Sequence, residues 1–158
     1  MAEEKDLAGL RGWLIIVGLG LIISPLRVIV QLFPIYAKIF SDGTWGILTT
    51  PGSNAYNPLW APILLGEVAV NLGLILTSIF VAFLYFTKKR IFPKWYSGFL
   101  VFTLAFMLLD AIALTFVLPG QPIFDSETSV EFGRTFIVTL IWVPYMFVSK
   151  RVKATFIN

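Results

Sequence analysis

Arg27, Glu67, Asp110 and Arg134 each fall inside a long apolar run. An ionised side chain deep in hydrocarbon costs roughly 2.5–3.5 kcal/mol on insertion scales, so such residues mark pairing or function. Two of the four are acids and two are bases, and their formal charges cancel. Gly20, Ser24, Arg27 and Gln31 are spaced by four, three and four residues, which is one face of a helix. Glu67, Asn71 and Ser78 share a face of the second run, and Thr103 and Asp110 lie seven apart on the third. The candidate intramembrane polar cluster is Arg27, Glu67, Asp110, Arg134, Asn71, Ser24 and Gln31. Such a group could fix helix register. It could also bind an ion, a proton or a solute. A carboxylate acting as base beside an arginine on phosphate would suit a lipid-modifying enzyme. The sequence offers that chemistry no nucleophile–base pair, no metal-ligand spacing and no Gly-rich phosphate loop. The expectation is a protein without catalysis, cofactor or metal.

The elements that must position these groups follow from hydropathy. The chain has 158 residues, 58% of them hydrophobic, and a mean hydropathy of +0.86. The excess over a soluble domain is gathered in runs. A bilayer core needs about 20 mostly apolar residues per helix. Four segments meet that length: 12–33 or on to Phe40, 60–86, 96–118 and 132–149. The fold class is therefore an all-α four-helix transmembrane bundle, with residues 1–158 as one domain. The absence of Cys and His excludes disulfides, thiol chemistry and the commonest metal ligand. The opening MAEEKDLAGLRGW is not expected to act as a signal peptide: its start is more acidic than basic, the apolar run after it is too long and no small-residue cleavage site follows.

Orientation is read from Lys and Arg in short loops. Lys88, Lys89, Arg90 and Lys94 lie between the second and third runs, Lys150, Arg151 and Lys153 follow the fourth, and Lys5 and Arg11 precede the first. The other two loops hold no Lys or Arg between Ser41 and Pro58 or between Pro119 and Glu131. Both termini are expected in the cytoplasm. Lys88, Lys89, Arg90, Lys150, Arg151 and Lys153 are also candidate contacts for anionic lipid headgroups. These clusters are short and membrane-adjacent, so nucleic acid is not an expected partner. The long first loop, with Trp45, Asn54, Tyr56 and Asn57, is either a cap over the cluster or an interfacial loop held by its aromatics.

Measured from the outer ends of the runs, Arg27 lies ~9 Å below Phe33, Glu67 ~10 Å below Trp60 and Asp110 ~12 Å below Leu118. Arg134 is near the outer end of the fourth run. The expectation is one level, balanced cluster in the outer half. Pro25 and Pro144 would free the carbonyls of Leu21 and Leu140 and kink their helices. Gly20/Ser24 and Ala69/Gly73 are small-residue pairs suited to close helix contact or to a homodimer face.

The stretches GWLIIVGLGLIISPLRVI and LIWVPYMFVSKRVKATF resemble a bacterial family of small four-helix inner-membrane proteins, catalogued as domain of unknown function 2569. The resemblance implies a bacterial cytoplasmic-membrane location and four spans. It supplies no activity and no functional residue. The residues favour a non-catalytic binding or accessory bundle whose partners are the lipid bilayer and either itself or another membrane protein. The alternative is a small transporter, channel or solute- or lipid-binding protein that uses the cluster, as an oligomer because four helices make a thin pore wall.

Overall fold

The computed structural model describes residues 8–120 and 122–158. Lys5 lies outside them. Among the described residues the chain is helical, with six helices and no strand: α1 (Trp13–Ser41), α2 (Thr44–Thr49), α3 (Trp60–Phe86), α4 (Phe92–Thr115), α5 (Ser126–Val148) and α6 (Lys150–Thr155). Four of them, α1, α3, α4 and α5, are long and apolar enough to cross a membrane. Large side chains such as Leu19, Val30, Leu76, Phe102, Leu109 and Leu140 stand exposed along them. In water such a surface would drive association; in a bilayer it is the solvated surface.

Four helix boundaries differ from the hydropathy estimate by three residues or more, three of them for a local reason. α1 runs on to Ser41 through Pro34. Proline deletes one backbone bond without ending a helix whose neighbours remain bonded. α4 begins at Phe92, with Pro93 in its first turn, where the missing N–H would be unpaired anyway. It ends at Thr115. α5 begins at Ser126, six residues before the estimate, because the Asp125 side chain accepts a 2.7 Å bond from the Thr128 N–H. An N-cap carboxylate satisfies a donor that the helix cannot. This earlier start places Glu131 inside a helix.

α1 packs on α3, α3 on α4, and α4 on α5. The backbones of α1 and α5 stay farther apart, and long side chains span the space between them. The first described residues, the C-terminus and the α3–α4 turn lie at one end of the bundle. There the Gly9 N–H donates to Thr155 Oγ1 at 3.0 Å, and the Arg90 N–H donates to the Asn158 carbonyl at 2.7 Å. This end carries Arg11, Lys88, Lys89, Arg90, Lys94, Lys150, Arg151 and Lys153, and is called the basic end below.

The core is concentrated at that end. Leu14, Val17 and Leu21 of α1 meet Val81, Leu84 and Tyr85 of α3, Phe92, Tyr96 and Leu100 of α4, Met146 of α5, and Val152 and Phe156 near the C-terminus. Tyr85 is its centre. Its hydroxyl donates to the Leu14 carbonyl at 2.5 Å, and its ring lies 5.3 Å from Phe92 and 5.8 Å from Phe156. Phe156 in turn stacks on Phe92 at 4.4 Å, which closes the floor of the bundle. The other half has few buried side chains, among them Leu64, Ala111 and Val117. The bundle is thus tight at the basic end and loose at the far end.

The close approach of α1 and α3 occurs at Gly18, not at the small-residue pairs Gly20/Ser24 and Ala69/Gly73. A Cβ at Gly18 would stand 2.9 Å from the Tyr85 ring and hydroxyl, whereas one at Gly20 or Gly73 would meet nothing within 4 Å. Gly18→Ala is therefore expected to cost about 1–3 kcal/mol by overpacking. Gly20→Ala should be neutral, or stabilising by up to about 1 kcal/mol through helix propensity. Thermal melts in detergent compare the two variants. Equal melting temperatures would refute the contact.

Candidate binding site at the far end

The packing face of α1 is set by Leu14, Val17, Gly18 and Leu21. Ser24, Arg27 and Gln31 lie roughly a quarter-turn away, at 100° per residue. That flank faces the wide α1–α5 space. Ser24 and Gln31 are exposed there. Arg27 crosses it: its Nη2 pairs with Glu131 Oε1. The same carboxylate oxygen takes Arg134 Nη1 at 3.2 Å, one turn further along α5. Arg27 and Glu131 are about one-third exposed and Arg134 about half. The group is an Arg–Glu–Arg bridge over the gap, with one carboxylate between two guanidinium groups.

Glu67 belongs to a separate network. Tyr36 of α1 donates its hydroxyl proton to Glu67 Oε1 at 2.8 Å. Asn71 Nδ2 donates to the Tyr36 oxygen at 3.1 Å and to the Glu67 carbonyl at 3.0 Å. The four charges expected in one cluster are divided instead. Arg27 and Arg134 share Glu131, Glu67 is held by a tyrosine, and Asp110 stands apart from both arginines. The reason lies in the length of α1. Its end is eight residues beyond Phe33, which shifts the depth scale by ~12 Å. Tyr36, rather than Arg27, comes level with Glu67.

Asp110 is half-buried on α4. Among the described residues it has neither an ion pair nor a hydrogen bond. Its charge lies within electrostatic reach of Glu67 and Tyr36. It also lines a cavity of about 380 Å³ between α4 and the start of α5, with Leu114, Thr115, Ile123, Asp125 and Thr128. The site as built is acidic: Asp110 and Asp125 line the cavity and Glu67 lies within electrostatic reach, and among the described residues Asp110 has no hydrogen-bond donor.

A structured loop lies at the same end of the bundle. Asp42 and Gly43, at φ +86°, turn the chain from α1 into α2. Hydrogen bonds from Thr44, its side chain first and then its backbone N–H, hold the Asp42 carboxyl below its ordinary value. Phe40 packs on Trp45 at 5.1 Å, and Ser53 donates to the Ile47 carbonyl. Asn57 ties the loop to α4 through a 3.3 Å bond from its Nδ2 to the Phe116 carbonyl. Tyr56 is exposed. The sequence pointed to Asn57 in this loop; it did not single out Tyr36 or Glu131. Asp125 as a helix cap was the available signal for Glu131. A tyrosine near the end of an apolar run gives none that separates a ligand from an interfacial anchor.

At the basic end Lys88, Lys89, Arg90, Lys150 and Lys153 are exposed, and Arg151 is half-buried under Gly12. Among the described residues no three or more carboxylates, histidines or cysteines are grouped to hold a metal.

A family model described as "Protein of unknown function (DUF2569)" matches residues 7–157. Among curated proteins and among solved structures, none matches the chain.

Proposed function

The chain belongs to the DUF2569 family of proteins of unknown function, and from that premise we propose a non-catalytic binding role in a bacterial cytoplasmic membrane, both termini in the cytoplasm. The basic residues of the α3–α4 turn and the two chain ends support the orientation. The family resemblance supports the location. The bound group is cationic, or donates hydrogen bonds, and it is received by Asp110 at the far end.

One observation carries this reading. Asp110 sits within an apolar helix, faces a cavity, and has no cationic or donor partner among the described residues. The arginine that could have neutralised it is committed to Glu131. Intramembrane carboxylates are costly and usually face a partner or a water-filled space. An uncompensated one beside a cavity is suited to a ligand that brings the positive charge. Transport is the second reading, favoured by the same cavity; it needs an oligomer to complete a pore wall.

The test is ligand-dependent melting of purified protein in nanodiscs, with sodium, methylammonium and 1,4-diaminobutane as probes. A cation held at a hundred times its Kd should add about 2.7 kcal/mol to stability. Asp110→Asn should abolish that gain and leave the ligand-free protein more stable by about 1 kcal/mol or more, because an uncompensated charge is gone. Asp42→Asn, in the exposed loop, should retain the response. A response unchanged in Asp110→Asn, or no response to any probe, refutes the reading.

A further inference from the structure

We infer that the face formed by α3 and α4 is a binding groove for one anionic phospholipid, its phosphate at Lys94 and an acyl chain against Gly73 and Gly98. This groove is separate from the Asp110 cavity. It has a volume of about 600 Å³ and is lined by Gly73 and Thr77 of α3 and by Lys94, Trp95, Gly98 and Phe102 of α4. Sites that hold small ligands typically span roughly 300–1,000 Å³.

The two glycines make the groove without being needed for helix packing. A Cβ at either would meet nothing within 4 Å. Glycine weakens a helix relative to alanine, so a pair with no steric duty points to the open space itself. Trp95 forms one border, with its ring against Phe80 at 5.0 Å in an edge-to-face arrangement. Tryptophan is at home at headgroup depth, where one part of the ring is apolar and another wet.

Charge selects the occupant. Lys94 is exposed and has no ion pair among the described residues. It lies in the first turn of α4, where the helix dipole is positive, so both favour an anion. Lys88, Lys89 and Arg90 on the adjoining turn strengthen the field. A second copy of the chain is the poorer occupant. A two-fold axis along the membrane normal would bring one Lys94 beside the other among like charges. A phospholipid supplies an apolar chain for the groove and a negative group for its basic mouth.

Native mass spectrometry of the full chain, released from nanodiscs of equal phosphatidylglycerol and phosphatidylcholine, tests this. One phosphatidylglycerol should be retained in preference to phosphatidylcholine. Lys94→Gln should weaken that preference about fivefold, the effect of one lysine at an anionic surface. Gly98→Leu should remove the retained lipid, and because a Cβ there meets nothing within 4 Å the variant is expected to fold, which an unchanged melting temperature checks. Lys38→Gln, exposed in the last turn of α1 at the opposite end of the bundle, should change nothing. Equal retention of the two lipids, no retained lipid, or retention unaltered in Gly98→Leu overturns the proposal. So does formation of a disulfide-linked dimer by Gly98→Cys in membranes, which would place a second copy there.

Discussion

Tyr85→Ala is expected to lower the stability of this protein by about 4 kcal/mol, the middle of the range for truncating a large buried aromatic. Tyr85 is 2% exposed, and its ring joins Phe92 and Phe156, which also contact each other. Its removal leaves three helices and the C-terminal segment around a void. In a membrane the loss is chiefly one of packing, because lipid offers no hydrophobic drive between helices. The void cannot be filled by neighbours that are already buried. Tyr85→Phe keeps the ring and loses only the bond to the Leu14 carbonyl, a loss of about 1 kcal/mol. Denaturant or thermal melts in one detergent rank the variants. An alanine variant no less stable than the phenylalanine variant would contradict the core described above.

The second large effect is at Glu131. Glu131→Gln leaves Arg27 in the α1–α5 gap without its anion, and should cost about 2 kcal/mol. This is less than the 3–5 kcal/mol for breaking a fully buried pair, because the group is partly exposed. Arg134→Ala should cost only a few tenths of a kcal/mol, as exposed pairs do. The informative variant is the double one. Removing both partners, Arg27→Met with Glu131→Gln, should recover much of the loss, since no charge is left stranded. Melting curves of the four members of the cycle give the coupling. Additive losses would mean that the two side chains do not interact.

How much of this was legible beforehand depends on which physical signal each residue carries. The four long helices were readable because a bilayer imposes one length on any apolar helix, and 60–86 stands as read. The ends were less readable. Pro34 looks like a stop and is not, and the acidic stretch before Glu131 looks like a loop although Asp125 caps a helix within it. Those two boundary shifts altered the site. An α1 longer by eight residues brings Tyr36 to Glu67, and an earlier α5 brings Glu131 to Arg27. The principle that intramembrane charges find partners held for Arg27, Arg134 and Glu67. It did not identify the partners, because pairing depends on helix rotation and height, and neither is encoded in the spacing within one helix. Gly18 illustrates the same limit. Nothing local separates it from Gly20, and only the position of the Tyr85 ring on another helix does.

The uneven packing of the bundle has a mechanical consequence. A helix the length of α3 is about 40 Å long, so a tilt of ~5° pivoting at the aromatic floor would displace its opposite tip by about 3 Å. Side chains around Asp110 ride on such levers, while those around Tyr85 sit at the fulcrum and scarcely move. Small rearrangements would therefore be amplified where the carboxylates are, and the contact between Arg27 and Glu131 is the ion pair that spans α1 and α5 in that half.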